Sequence, residues 1–390
     1  MTDLPLSQSE QALVDAATTF ARDIIAPLAD AWDRDGAHLP RAVITEWAAL
    51  GLNTLQVSAE RGGAGAGLFA KIAVAEALAR VCMACSFALT NIQGSVTRIE
   101  REGTPDQIAR YLPRLMTGDL VCAPSLTEPS AGSDFAAIAT RATKIPGGWR
   151  LDGEKAWVTN GAFADLLVLY AQTEPGSGNK GIASFIVELG APGVERLPPD
   201  ALIGGGAIGA AGIRLAGVFV PDENLFAPPG AAFKRALRGI TAARVHVAAM
   251  ACATVETALR TAVDHAGRRH AFGKPLLEHQ GLRWQLADIA TDLEAARALT
   301  WRAARVIAAG GDAQIEAAFA KKFAAEMATR SIAACMQAMG AEGLRPRHAL
   351  GRHLACARIA AYVDGTTEMQ TERIGAVLRE RYGGPVPPRP

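Results

Sequence analysis

From residue 119 to about 226 the apolar residues stop recurring at helical spacing and fall into short β-rich stretches; from 227 the helical repeat returns. That double change of period constrains the fold more than any single motif does. Before it, "SQSEQALVDAATTFARDIIAPLADAWDRDG" opens with a Ser/Glu capping pattern and carries one amphipathic stripe, and "GTPDQIARYLPRLMTG" starts at a Thr-Pro signal and stops at Gly118. Within it, "LVCAPSLTE", "IATRATKI", "WRLDGEKAWVTN", "DLLVLYAQT", "GIASFIVEL" and "GIRLAGVFVP" read as strands, separated by turns such as "PGG" and "EPGSGNKG". After it come long stripes: Val245, Ala249, Cys252, Val255, Leu259 and Val263; Leu282, Leu286, Ile289, Leu293 and Ala296; Ile315, Phe319, Phe323 and Met327. Four or more such helices predict a bundle. The fold class is therefore α+β: an N-terminal all-α domain over 1–118, a middle β-barrel or sandwich domain over 119–226, and a C-terminal four-helix bundle over 227–390.

The charge balance removes several functions. With 40 basic and 39 acidic residues and no basic block, nucleic acid is a poor partner. No apolar run approaches the ~18 residues of a membrane span, and the polar start lacks the pattern of a signal peptide. A cytoplasmic location is expected. Cys82 and Cys85 form an isolated C-x-x-C in the Ala-rich "EALARVCMACSFALT", which reads as core packing and not as a zinc or redox site. His265/His270 and His348/His353 miss the i, i+4 spacing of paired ligands, so no metal is expected.

Two glycine motifs invite a nucleotide reading. "GGGAIG" at Gly204–Gly209 fits G-x-G-x-x-G, but "RLPPDAL" precedes it and a strand-like stretch comes after. "GGAGAGLFA" opens a helix without surrounding βα units. Both are expected to be loops, which disfavours a nicotinamide-dependent Rossmann enzyme.

Five further motifs occur in order: "LTEPSAGSD" (126–134), "GEKAWVTNG" (153–161), "RHAFGKPLLEHQ" (269–280), "LAD" (286–288) and "DGTTEMQ" (364–370). Taken singly, Trp157 reads as a strand residue, Arg269 as a solvated charge, and Asp364 as a helix cap. Together the motifs resemble the acyl-CoA dehydrogenase family of flavoproteins over nearly the whole chain. The resemblance implies one FAD per subunit, a homotetramer built as a dimer of dimers, an acyl-CoA substrate, and electron-transfer flavoprotein as partner. It places Leu126 and Thr127 at the flavin edge, Trp157 beside the ring and Thr159 near its reactive nitrogen. Ser133 falls at the pyrophosphate or the substrate. Arg269, Phe272, Gln280, Gln337 and Gly340 would reach FAD from a neighbouring subunit, and Thr366 and Glu368 would touch it after the catalytic turn. Arg244 and Gly365 fall on the substrate path.

The implied reaction is α,β-dehydrogenation of a thioester, in which a carboxylate takes the α-proton and the β-hydride goes to flavin. Aligned on "GTTEMQ", that carboxylate is Asp364, where glutamate is usual. The alternative position used by some relatives is Ala243 here, which cannot take a proton. Aspartate reaches about 1.5 Å less than glutamate, which leaves three readings open: a base in a reshaped pocket, a nitroalkane oxidase-like flavin oxidase, or a non-catalytic FAD- or CoA-binding homologue. The oxidase reading lacks its usual arginine, because position 371 is Thr.

Overall fold

The computed structural model of the chain describes residues 6–383. Helix α1 (Gln8–Phe20) begins with the expected capping box between Ser7 and Glu10. Glu10 also accepts the Gly67 N–H at 2.9 Å, which ties this helix to a distant loop. The stretch read as one helix is broken by a π-turn at Ala21–Ile25 before α2 (Ala26–Asp35). Pro27 lacks the N–H that would bond back one turn, and a wider turn absorbs the missing rung. Helices α3 (Arg41–Ala49), α4 (Leu68–Ala79), α5 (Met83–Glu102) and α6 (Pro105–Met116) complete the first part. Every residue of α4 from Ala70 to Ala79 is buried, since it packs against α1, α5 and the bundle.

Eight strands come next: β1 (Cys122–Ser125), β2 (Arg141–Ile145), β3 (Gly148–Val158), β4 (Leu166–Gln172), β5 (Ile182–Glu188), β6 (Val194–Pro199), β7 (Ala211–Pro221) and β8 (Leu225–Ala227). They form one sheet in the order β6-β7-β3-β2-β4-β5-β8, with β1 added parallel to β4. Strand β4 is buried along its whole length. Leu167 and Leu169 share a core with Leu151 of β3 and Leu215 of β7, while Leu166, Val168 and Tyr170 face Ile99, Leu112 and Leu115 of α5 and α6. That two-sided burial explains its unbroken apolar run.

The prolines of "RLPP" argue against a strand there, yet β6 contains them. It is the edge strand of the sheet, where a missing N–H costs nothing. The glycine-rich segment after β6 is still no dinucleotide fingerprint. Gly204 lies against Ala355 and the Arg352 carbonyl, Gly206 against the Trp32 carbonyl, and the next element is β7 and not a helix.

The last part is led by α7 (Ala232–Arg268) of 37 residues. A hairpin, β9 (His270–Ala271) and β10 (Lys274–Pro275), links it to α8 (Gln280–Ala308). Helices α9 (Gln314–Met339) and α10 (Leu350–Tyr362) close a four-helix bundle, and α11 (Thr367–Ala376) and α12 (Leu378–Tyr382) lie beyond it. Val245 and Val255, Leu286 and Leu293, and Met327 and Ile332 share its core. All six cysteines are free and buried.

Candidate active site

The turn between α10 and α11 is held by its carbonyl groups. Arg244 Nε donates to the Asp364 carbonyl at 2.9 Å, and Lys321 Nζ donates to the Gly365 carbonyl at 2.5 Å. Gln370 Nε2 also donates to Gly365 at 2.9 Å. Asp364 takes φ 53° and Gly365 φ 89°. Left-handed backbone is tolerated by aspartate and natural to glycine. A Cβ on Gly365 would sit 3.0 Å from Gln370 Nε2 and 3.3 Å from Arg244 Nη2 and would press on two of the side chains that grip the turn. Thr366 then caps α11, its hydroxyl accepting the Met369 N–H.

These bonds engage the backbone and leave the Asp364 side chain unused. Its Oδ2 is buried and has no hydrogen-bond partner among the described residues. Burial pushes its pKa up, and Lys321 and Arg244 only partly offset this. Lys321 is almost fully buried, and burial lowers its pKa to about 8. Burial, with Arg373 nearby, lowers that of Arg244 to about 10. Sequence reasoning missed Lys321 and Gln370. Lys321 shares the buried, alanine-rich face of α9 with Ala317, Ala324 and Ala328, off the stripe of Ile315, Phe319 and Phe323, so the sequence carried little signal for it.

Asp364 lines a cavity of about 310 Å³ bounded by α4, α5, α7, β1 and β4. Leu126 and Ala243 also line it, so the position that carries the base in some relatives presents only a methyl group here. The "LTE" and "KAWVT" motifs are clipped together. Lys155 Nζ donates to the Leu126 carbonyl at 3.1 Å and to Glu128 Oε1 at 2.8 Å, and the Ala156 N–H donates to the Thr127 carbonyl at 2.9 Å. Burial opposes ionisation of Glu128, but Lys155, Thr140 and Ala139 together hold its pKa below the usual carboxylate range.

Just beyond this clip Trp157 takes φ 56° and leaves its ring 58% exposed, with Thr159 half-buried beside it. A strained backbone that presents a large aromatic to solvent marks a ligand surface. These residues fit a planar apolar group that carries hydrogen-bonding edges, as a flavin does. Ser133 and Glu368 are exposed.

The remaining expected residues lie elsewhere. Arg269 and Phe272 flank the β9–β10 hairpin, Gln280 starts α8, and Gln337 and Gly340 end α9, all exposed. The hairpin comes after Arg268, 24 residues beyond Arg244 on α7, which is about 36 Å along the helix. This end of the bundle also exposes Phe272 at 97%, Leu344 at 72% and Trp284 at 60%. The structure does not bring these residues to the Asp364 turn of the same chain.

Three family descriptions match in order: acyl-CoA dehydrogenase N-terminal domain over residues 7–119, middle domain over 123–218 and C-terminal domain over 231–379. An acyl-CoA dehydrogenase of Bacillus subtilis (strain 168) is 33% identical over 352 residues, which is 90% of this chain and 93% of that protein. The butyryl-CoA dehydrogenase structure from Megasphaera elsdenii is 31% identical with a TM-score of 0.92, covering 97% of this chain and 100% of that one. The FAD complex of PigA is 27% identical with a TM-score of 0.90, covering 97% and 100%. Fold, motif order and carboxylate turn define an oxidoreductase of the flavoprotein dehydrogenase class. The chain belongs to the acyl-CoA dehydrogenase family.

Proposed function

We propose that this protein is an FAD-dependent acyl-CoA dehydrogenase in which the Asp364 carboxylate removes the α-proton of a bound thioester. The observation that carries the reading is the Asp364 side chain itself: Oδ2 sealed and unpaired, on the wall of the cavity, above a turn fixed through its carbonyls. Fixing the backbone holds the base in place without spending its lone pairs. The Asp364 N–H finds no backbone acceptor among the described residues, which leaves it to donate to the thioester oxygen as charge develops there. Burial keeps the carboxylate basic enough to accept a carbon-bound proton.

Leu126, Thr127, Trp157 and Thr159 would hold the flavin, with Ser133, Thr366 and Glu368 at its margins. Bound FAD supplies the acceptor for the β-hydride. Arg244 acts by gripping the turn. Arg269, Phe272, Gln280, Gln337 and Gly340 serve a neighbouring subunit's cofactor in a homotetramer, which accounts for their distance from Asp364 and for the exposed apolar side chains beside them. Electrons leave through electron-transfer flavoprotein. The Thr371 hydroxyl is bonded to the Thr367 carbonyl within α11, and nothing observed favours the oxidase reading.

The test is anaerobic mixing of the FAD-loaded protein with a panel of acyl-CoA thioesters. Bleaching of the flavin band with formation of the α,β-unsaturated thioester is expected from at least one of them. If none bleaches it, the dehydrogenase reading fails.

A further inference from the structure

The cavity beside Asp364 is far from a plain hydrocarbon sleeve. Lys71 lines it from the first turn of α4, the helix buried on all sides from Ala70 onward, and is itself only 5% exposed. Among the described residues its ammonium has no ion pair and no hydrogen bond. The only charge that bears on it appreciably is a like one, Arg101, which adds to the burial that brings its pKa down to about 8. The other cations of the cavity are accounted for. Arg98 pairs with Glu102, and Arg101 lies beside Glu100 while donating to the Gln56 carbonyl.

Two further observations point to the same spot. His246 on α7 is buried, lines the cavity, and leaves Nε2 without a partner. Burial and the neighbouring Lys71 hold this imidazole neutral. Gly94 on α5 lies directly beside the ammonium, where a Cβ would touch Lys71 Nζ at 3.5 Å. The nearby hydroxyls of Thr90, Ser95 and Thr97 each donate to a carbonyl of their own helix, so their protons are already committed. One uncompensated positive charge and one free imidazole nitrogen remain, buried in the space that would receive the acyl group. A buried cation with no partner destabilises a fold unless an anion joins it.

We propose that the acyl group positioned at Asp364 ends in a carboxylate, which pairs with Lys71 and accepts a hydrogen bond from His246. This rests on the dehydrogenase reading and adds the substrate class to it: an ω-carboxyacyl thioester. Lys71 and Asp364 line the same cavity, which lets one substrate reach both groups, with the base at its thioester and the anion receptor at its tail.

The experiment compares ω-carboxyacyl thioesters (glutaryl-CoA, adipyl-CoA) with neutral thioesters of similar length (valeryl-CoA, hexanoyl-CoA). Each is mixed anaerobically with the FAD-loaded full chain, and flavin reduction gives kcat/KM. For at least one length the carboxylate-bearing substrate is expected to be favoured by about tenfold or more, because a buried polar site rejects a ligand that leaves it unpaired. Lys71→Met should reverse the preference, lowering kcat/KM for the carboxylate and raising it for the neutral chain. Lys71→Arg should retain part of the original order. Lys71→Met removes an uncompensated buried charge, so its melting temperature without substrate should not fall, and its FAD content serves as the folding control. A wild-type preference for neutral chains, or a preference that Lys71→Met leaves unchanged, overturns this inference and leaves the dehydrogenase reading standing. Failure of every thioester to bleach the flavin overturns both.

Discussion

Asp364 occupies left-handed backbone at φ 53°, a region that aspartate and asparagine enter more readily than longer side chains. This gives a physical reason for the short acid where glutamate is usual. Asp364→Glu would carry the carboxylate about 1.5 Å away from its present position and should lower kcat by about a hundredfold, as steady-state rates with the best thioester will show. Equal or higher activity would mean that reach, and not backbone shape, limits this site. The base works only when ionised, and burial raises its pKa. Activity should therefore rise with pH through a midpoint above the usual aspartate range and fall away below it, visible as the acid limb of a pH–kcat/KM profile. The motif "DGTTEMQ" made Asp364 legible from sequence alone. Its grip by Lys321 and Arg244 was not, because those residues are remote in the chain and meet it only through the bundle. Lys71 and His246 were invisible for the same reason, since a lysine within "AKIAVAEALA" carries no sign of what it faces.

At the level of elements, the loop 126–128 and the end of β3 behave as one unit because Lys155 and Glu128 are buried against each other. Replacing Lys155 by Met strands the Glu128 carboxylate in the interior, which should cost about 3–5 kcal/mol. Thermal unfolding checks this, and FAD retention should drop along with it, because Thr127 and Trp157 lie on the two halves of the clip. Strand and helix content came from periodicity, and the starts of α1 and α6 from a Ser/Glu capping pattern and a Thr-Pro signal; the capping box of α6, between Thr104 and Gln107, appeared only in the structure. Two other local features were not legible either. The π-turn at Ala21–Ile25 hides inside an ordinary amphipathic stripe, and β6 carries prolines that are harmless only because it is an edge. Edge position is a property of the whole sheet and cannot be read from six residues.

Over the whole molecule, the bundle separates the two sets of residues proposed to hold FAD by most of the length of α7. If the hairpin end serves another copy, Arg269→Ala should weaken FAD retention while leaving the Asp364 turn intact, and Phe272→Asp should shift the assembly toward smaller species. Light scattering coupled to size exclusion, with flavin content measured in each peak, tests both. A chain that stays monomeric and keeps FAD would exclude a shared site. The architecture draws α4, α5, α7, β1, β4 and the α10–α11 turn around one cavity, in which Asp364 is the candidate base. Rapid anaerobic mixing of wild type and Asp364→Asn with the same thioester, with the flavin band as readout, addresses that role most directly. Base catalysis by Asp364 predicts reduction slowed by roughly a hundred- to ten-thousand-fold in the variant, with FAD content and thioester binding retained. Reduction within a few-fold of wild type would show that another group takes the proton.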